Sequence, residues 1–525
     1  MKKLLTLTCV AVLTFGLAAA TYADVEFGAS GFIRVRSAWY MNTPVPAPTI
    51  DIPGFTTNTA WDDTNAWMDT RFRIKFTGKL DDVAKGVIYL EGDASPWGSA
   101  AGTRNTMGFW NADRAAVEVK QAYLDFKVPG TDAFPTKLQA GIIGFNYRAH
   151  VCAYIDGAGV RLDTTAGPVK IQVNWMKPWE GNNWQADDTD IYAFRVVVPV
   201  GPVRPGFWAM WYDSNSWGAG TPLVWPAVGG WGPPNTGQNG GTDKADLYWL
   251  GFQLDGKAGP VGLKADFVYN FGEIERQYPQ VNPTVVPFRN PIDDEDFGGW
   301  LFYADAVYTT PTEFPIDVGA TFLYATGDDL DDARTKRDHD GYWLPPGSEA
   351  AWIGTHGIVF YPSAVNDGVS TVTGGMQNNA PFPFGPGGTW FGKLYAGVKP
   401  IDWLKVTFYG MYIGDTADSG DMYGNAASTT WVDPMTGIPV PLWEDNSDIG
   451  IEFGLITNFQ IYKNLKYSIG GGYLMAGDAL DRYTWVDFIP ATGAYVIGGT
   501  VPGAIAINDE PANPWAIVSN LTFSF

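Results

Sequence analysis

About eighteen segments of this chain alternate apolar and polar side chains with a period of two, the pattern of β-strands whose faces meet different surroundings. They fall at 25–40, 66–79, 86–94, 115–127, 136–144, 158–165, 168–177, 189–199, 205–213, 244–255, 259–271, 299–309, 314–326, 390–399, 402–414, 447–459, 464–475 and 513–525. Their connections alternate as well. Every second one is short, as at Ala166-Gly167-Pro168 and Gly256-Lys257-Ala258-Gly259, and those between are long, as at 214–243 and 327–389. A sandwich or propeller shows no such two-sided asymmetry. The rhythm predicts an all-β fold: one transmembrane antiparallel β-barrel of about 18 strands, or 16 if two hairpins fail to form. Short turns then face the periplasm and long loops face outside.

Both ends of the chain agree. Lys2 and Lys3 precede an apolar stretch from Leu4 to Leu17 and small residues at Ala18, Ala19, Ala20 and Ala23, which reads as a cleaved signal peptide over 1–23. The barrel domain then covers 24–525. At the other end Trp515, Ile517, Leu521, Phe523 and Phe525 share one parity, and Asn520, Thr522 and Ser524 the other. An apolar strand face needs a cover, and lipid supplies one. A terminal Phe on such a strand is also similar to the C-terminal signature of bacterial outer-membrane proteins. Phe525 is expected on a lipid-facing strand that pairs with the first and closes the barrel.

Composition narrows the function. The formal net charge is −22, about −24 once Lys2 and Lys3 leave with the signal, so a phosphate backbone finds no basic surface and nucleic acid is not a partner. Cys9 leaves with the signal and Cys152 stays alone, so no disulfide forms within the chain. The histidines are His150, His339 and His356, and no haem-attachment motif is present. No Ser/His/Asp set shares a face, so an enzyme is not expected. Acidic runs such as 293–296 and 328–332 read as a solvated outer surface. Outer-membrane lipid and lipopolysaccharide are the expected surroundings. Asp338, Asp340 and Gly341 match part of a calcium loop but lack the full ligand ladder and its closing Glu. No other cofactor is implied.

Charge sets the phase of the strands. Arg34 and Arg36 oppose Ile33 and Val35, Arg71, Arg73 and Lys75 oppose Phe72, Ile74 and Phe76, and Lys264, Asp266 and Asn270 oppose Leu263, Ala265 and Phe267. Asp448 and Glu452 likewise oppose Ile449, Ile451 and Phe453. A charge at mid-membrane on the lipid side costs about 2–4 kcal/mol, so the charged faces turn inward. Arg34, Arg36, Arg71, Arg73 and Lys75 then form one pore-lining basic patch, with Glu91, Asp93 and Glu118 continuing round the wall. A wide, charged, water-filled lumen implies passage of small polar solutes. The long connection 145–157 is expected to fold inward as the constriction, with Tyr147, Arg148, His150 and Asp156 as its candidate residues.

The segments DTRFRIKFTGKLDDVAKGVIYLEGDASPWG (69–98) and VEVKQAYLDFKVPGTDAFPTKLQAGIIGF (117–145) resemble the homotrimeric outer-membrane porin family of sulfate-reducing and related Gram-negative bacteria. The matching features are Arg71-x-Arg73, the strand end Glu91-Gly92-Asp93 leading to Trp97-Gly98, and Lys120-x-Ala122-Tyr123-Leu124-Asp125 with its Pro129-x-Thr131 turn. The likeness covers about the first third of the mature chain. There is a broader likeness to 16- to 18-stranded porins. The resemblance implies a passive channel and a homotrimer. A substrate-selective channel for organic acids or sugars, and a barrel sheath around an electron-transfer protein, are the alternatives.

Overall fold

The computed structural model describes residues 25–42, 65–92, 97, 117–180, 188–217, 243–275, 295–327, 339–346, 348, 356–361, 365, 387–416, 430–432, 439–441, 446–480, 482–489, 494–497, 505–509 and 513–525. The expected signal at 1–23, Asp93 and Asp338 lie outside them.

Every segment read as a strand is one. In order they are β1 Val25–Met41, β2 Asn65–Leu80, β3 Ala84–Gly92, β4 Glu118–Lys127, β5 Thr136–Tyr147, β6 Ala153–Ala166, β7 Val169–Trp179, β8 Thr189–Val197, β9 Val203–Trp217, β10 Asp243–Ala258, β11 Val261–Glu275, β12 Glu295–Thr309, β13 Ile316–Ala325, β14 Thr389–Ile401, β15 Leu404–Asp415, β16 Asp448–Tyr462, β17 Leu465–Ala476 and β18 Trp515–Ser524. They form one 18-stranded antiparallel sheet. β1 pairs with β2 on one side and with β18 on the other, so the sheet closes without an edge. At the seam the Gly31 amide donates to the Phe525 carbonyl at 2.8 Å and the Phe525 amide donates back at 3.0 Å. Phe523 and Phe525 are about half exposed on the outside. Short segments in the β15–β16 and β17–β18 connections pair among themselves, apart from the wall.

The alternation decides what each face meets. On β1, Arg34, Arg36, Ala38 and Tyr40 are buried inside, while Ile33 and Trp39 are exposed outside. On β11, Asp266, Val268 and Asn270 point in, and Leu263, Phe267 and Tyr269 point out. The outer surface carries an aromatic row. Tyr192, Trp211, Tyr248 and Phe271 stack on successive strands with centroids 5.2, 6.1 and 5.1 Å apart. Two residues nearer the loops stand Asp190, Asp213, Asp246, Glu273 and Asp296, each directly opposite the next across the sheet. The rings mark the headgroup level and the carboxylates lie beyond it.

Two phase expectations need correction. The register shifts between Ile413 and Gly414, so Ile449 is fully buried and the simple alternation that set Asp448 inward fails there. The lumen is also not charged throughout. Inward positions toward the loop end of β8 to β14 are apolar or aromatic, among them Ile191, Trp208, Met210, Leu247, Trp249, Leu301, Leu323 and Phe391. Such a wall is dry only if something packs on it.

Candidate functional site

Among the described residues two pieces of chain enter the lumen. The first is the end of the β5–β6 hairpin. β5 pairs with β4 only up to Ala122↔Ile142, and β6 pairs with β7 only up to Gly159↔Met176. Beyond those rungs the two strands pair with each other alone, up to Tyr147↔Ala153. The hairpin leaves the wall at the Gly141↔Gly159 pair. A side chain at Gly141 would strike the Ala122 carbonyl, and one at Gly159 the Trp175 carbonyl; Gly141 also has φ +132°. Glycine at both positions lets the backbones separate by close approach and bend. The sequence reading of 145–157 as a long loop is therefore corrected. It is a strand pair closed by a five-residue turn, 148–152.

The hairpin's two faces meet different walls. Tyr147 is buried, accepts a hydrogen bond from Asn174 Nδ2 at 2.6 Å and sets its ring edge-on against Trp208, centroids 5.9 Å apart. Asp156, on the other face, accepts from Gln121 at 2.7 Å and lies 2.9 Å from Lys120 Nζ. The tip reaches the far wall. Arg148, with φ +54°, makes a two-pronged bond to Asp266 of β11 and places Nη1 2.7 Å from Asp255 of β10. His150 Nε2 lies 2.8 Å from the same Asp266. Burial is the largest influence on His150 and, with Lys264 and Arg148, holds its pKa below 6.5 against the opposing pull of Asp266. Cys152 sits in this turn fully buried, and burial pushes its thiol well up. That is opposite to the activation a nucleophilic cysteine needs.

The second piece belongs to the β13–β14 connection, which the sequence assigned to the outer surface. Gly341 to Pro346 lie buried against β10 to β12. Trp249 Nε1 donates to the Trp343 carbonyl at 2.8 Å, and the Trp343 amide donates to Asn270 Oδ1 at 3.2 Å. Ile358 to Tyr361 lie against the opposite wall. There Glu452, fully buried on β16, accepts the amides of Ile358, Val359 and Phe360 at 2.6, 3.1 and 2.9 Å and the Tyr409 hydroxyl at 2.6 Å. Further on, Asn520 of β18 donates to the Val365 carbonyl. The two inserted pieces also touch: Tyr342 Oη donates to the Val151 carbonyl at 2.7 Å and Ser348 Oγ to the Cys152 carbonyl at 2.9 Å. A buried carboxylate costs heavily unless fully bonded, and three amides plus a phenol meet that need.

The basic patch read from the sequence is one cluster. Arg34 and Arg71 face each other across β1 and β2. Arg73 Nε lies 2.7 Å from Glu91, Arg71 Nε 3.4 Å, and Lys120 Nζ 3.2 Å. Arg36 bonds Asp69 at 2.9 Å, and Lys75 lies 6.0 Å above the Tyr89 ring. Glu118 faces Glu91 across the sheet and is exposed. Asp340 is exposed beside the buried loop segment, and among the described residues no group of His, Cys, Asp and Glu has the geometry to hold a metal ion.

Sequence reasoning missed Asp69, Lys120, Asp255 and the whole inserted loop. A register shift between Tyr89 and Leu90 makes Lys120 the extra residue on β4, so alternation alone does not place it beside Glu91. Asp69 and Asp255 are recoverable from parity, since each continues the inward phase of its strand.

No protein-family model matches the chain, and no curated protein matches it. Solved structures do. OccK8 (OprE) of Pseudomonas aeruginosa is 9% identical with a TM-score of 0.47, covering 95% of this chain and 98% of that one. OccAB1 of Acinetobacter baumannii is 11% identical with a TM-score of 0.44, covering 95% and 97%. The outer membrane channel DcaP of Acinetobacter baumannii is 12% identical with a TM-score of 0.37, covering 96% and 100%. The barrel assignment here rests on the strand pairing itself.

Proposed function

We propose that this chain is an outer-membrane porin, a passive diffusion channel for small hydrophilic solutes and ions. The observation that carries the reading is a closed wall, apolar outside, whose lumen holds opposed ions and is narrowed by a hairpin and a loop built from the same chain. Lipid satisfies the outside, and only a closed barrel satisfies the backbone within it. The Arg71-x-Arg73, Glu91-Gly92-Asp93 and Lys120-x-Ala122-Tyr123 motifs support membership of the trimeric porins they resemble, and with it a homotrimer in a Gram-negative outer membrane. Lipopolysaccharide is then the outer-leaflet partner, and a calcium ion in the acidic loops would rest on Asp338 and Asp340.

A second reading, a channel selective for organic acids or sugars, is favoured by the inserted loop, which narrows the lumen with named contacts at both walls. A sheath around an electron-transfer protein is disfavoured, because that loop occupies the space such a guest needs. Purified protein in planar bilayers tests the proposal. Stable conductance steps that scale with salt are expected. Reduced current on adding one solute class but not others moves the assignment to a selective channel, and absence of any conductance removes the porin reading.

A further inference from the structure

We propose that the lumen holds a binding site for a neutral saccharide, formed by Lys264 of β11, Asp305 of β12 and Tyr395 of β14. This rests on the channel reading above and adds the class of solute that the channel recognises.

The first observation is an open aromatic face. Three inward rings lie across glycines of the neighbouring strand: Trp208 across Gly251, Tyr409 across Gly454 and Tyr395 across Gly319. Glycine there leaves room for a ring to lie along the wall. The rings then meet different surroundings. Trp208, against Tyr147 of the hairpin, is 0% exposed, and Tyr409, at the loop's seat on Glu452, is 1% exposed. Tyr395 stays partly exposed.

The second observation is hydrogen-bonding capacity left over beside that ring. Lys264 and Asp305 stand directly opposite each other across the sheet, and Asp305 stands directly opposite Thr321. Asp305 Oδ1 accepts from both Thr321 Oγ1 at 2.7 Å and Tyr395 Oη at 3.3 Å. Among the described residues Asp305 Oδ2 accepts no hydrogen bond, and the Lys264 ammonium, 5.8 Å over the Tyr303 ring, donates none and forms no ion pair. Lys393 differs, since it donates to the His356 carbonyl at 2.6 Å. A carboxylate oxygen takes up to two donors and an ammonium offers three. An acceptor and a donor that are neighbours, yet not bonded to each other, therefore border the exposed ring.

The third observation is place. Tyr303, two residues nearer the loops than Asp305, meets the His150 ring at 5.0 Å and the His356 ring at 5.6 Å. The site thus lies on the periplasmic side of the point where hairpin tip and loop reach the same wall.

A saccharide ring fits this combination. Its C–H face is weakly positive and suits the negative face of a tyrosine ring. One hydroxyl at its edge donates to Asp305 Oδ2 while the next accepts from Lys264. A simple anion is opposed by Asp305 and a simple cation by Lys264. A zwitterion meets both charges but brings no flat C–H face to Tyr395. The basic cluster across the lumen lacks this capacity, because Glu91 is already held by Arg71, Arg73 and Lys120.

The test records single-channel current through the full-length barrel with maltotriose, leucine or inorganic phosphate added at equal concentration. Maltotriose should block the wild type in a saturable way, at least tenfold more tightly than leucine or phosphate. Tyr395→Ala should weaken that block tenfold or more and Asp305→Asn threefold or more. Tyr395→Phe, which keeps the ring, should stay within threefold, and Leu394→Ala, on the outward face of the same strand, should match the wild type. Asp305→Asn is nearly isosteric, so it reads the site even where Tyr395→Ala fails to reach the folded mobility on gels. Tighter block by leucine or phosphate overturns the proposal, and so does a maltotriose block unchanged in Asp305→Asn. A wild type that does not conduct removes the channel reading alone. Titration calorimetry with maltotriose then still reads the site: binding weakened in Asp305→Asn supports it, and no binding to the wild type overturns it.

Discussion

The β5–β6 hairpin and the β13–β14 loop narrow one lumen by different physics. The hairpin carries its own ladder up to Tyr147↔Ala153 and anchors its tip through ions, Arg148 and His150 on Asp266. The described part of the loop forms isolated bridges, such as Phe297↔His339, and hangs on the wall through its backbone, three amides on Glu452 and the Trp343 carbonyl on Trp249. The difference teaches where each can be broken. A self-paired hairpin loses its tip contact and stays formed; a loop segment seated on one buried acid loses that seat.

The largest effect is therefore expected from Glu452→Ala. It leaves three amides and the Tyr409 hydroxyl without their acceptor, and bonds to a charged group are worth about 1.5–3 kcal/mol each. The loop should leave that wall and single-channel conductance should rise severalfold, with the barrel intact by heat-modifiable gel mobility. Conductance within a tenth of wild type would mean the loop is held elsewhere.

Arg148→Ala comes next. Asp266 is fully buried, and leaving it without the guanidinium costs about 3–5 kcal/mol locally. Conductance should rise about twofold and shift toward cations, because Asp255 and Asp266 lose their counter-charge. Reversal potential in a salt gradient reads this. A shift toward anions would put Arg148 off the permeation path.

Arg71→Gln with Arg73→Gln should act on selectivity more than on size. Glu91 keeps Lys120 at 3.2 Å, so the cluster survives at reduced positive charge. The shift toward cations should be clear at ~0.01 M salt, where screening reaches ~30 Å, and nearly vanish at 1 M, where it reaches ~3 Å. An unchanged reversal potential at low salt would mean the patch only braces the wall.

The smallest effect concerns pH. The pKa of His150 is depressed by burial, so the tip's packing is fully present above the ordinary value of 6.5 and weakens as pH falls through the depressed one. Open-channel current noise should increase between pH 7 and pH 5, and His150→Gln should flatten that response. A response unchanged in the variant would assign it to another group.

The wall was legible and the lumen's filling was not, for a physical reason. Alternation is local: Arg71, Arg73 and Lys75 against Phe72, Ile74 and Phe76 carry their phase with them, and the short turns set which strands are neighbours. The inward bend was legible only as the expectation that 145–157 folds into the lumen, because Gly141 and Gly159 become a hinge only once their pairing is known. Insertion of 341–346 and 356–361 depends on wall residues on other strands, Asn270 and Glu452 among them. Glu452 read correctly as inward, yet nothing near it in sequence names the amides it receives. The bulges beside Lys120 and Ile449 are likewise products of pairing between strands.

Polymer exclusion tests the central claim most directly, that hairpin and loop together set the narrowest part of a conducting lumen. Conductance is recorded in polyethylene glycols of graded size for wild type, Glu452→Ala, Arg148→Ala and the double variant. The account predicts a conducting wild type with the smallest cut-off, larger cut-offs for each single variant and the largest for the double. One cut-off shared by all four folded barrels would contradict it.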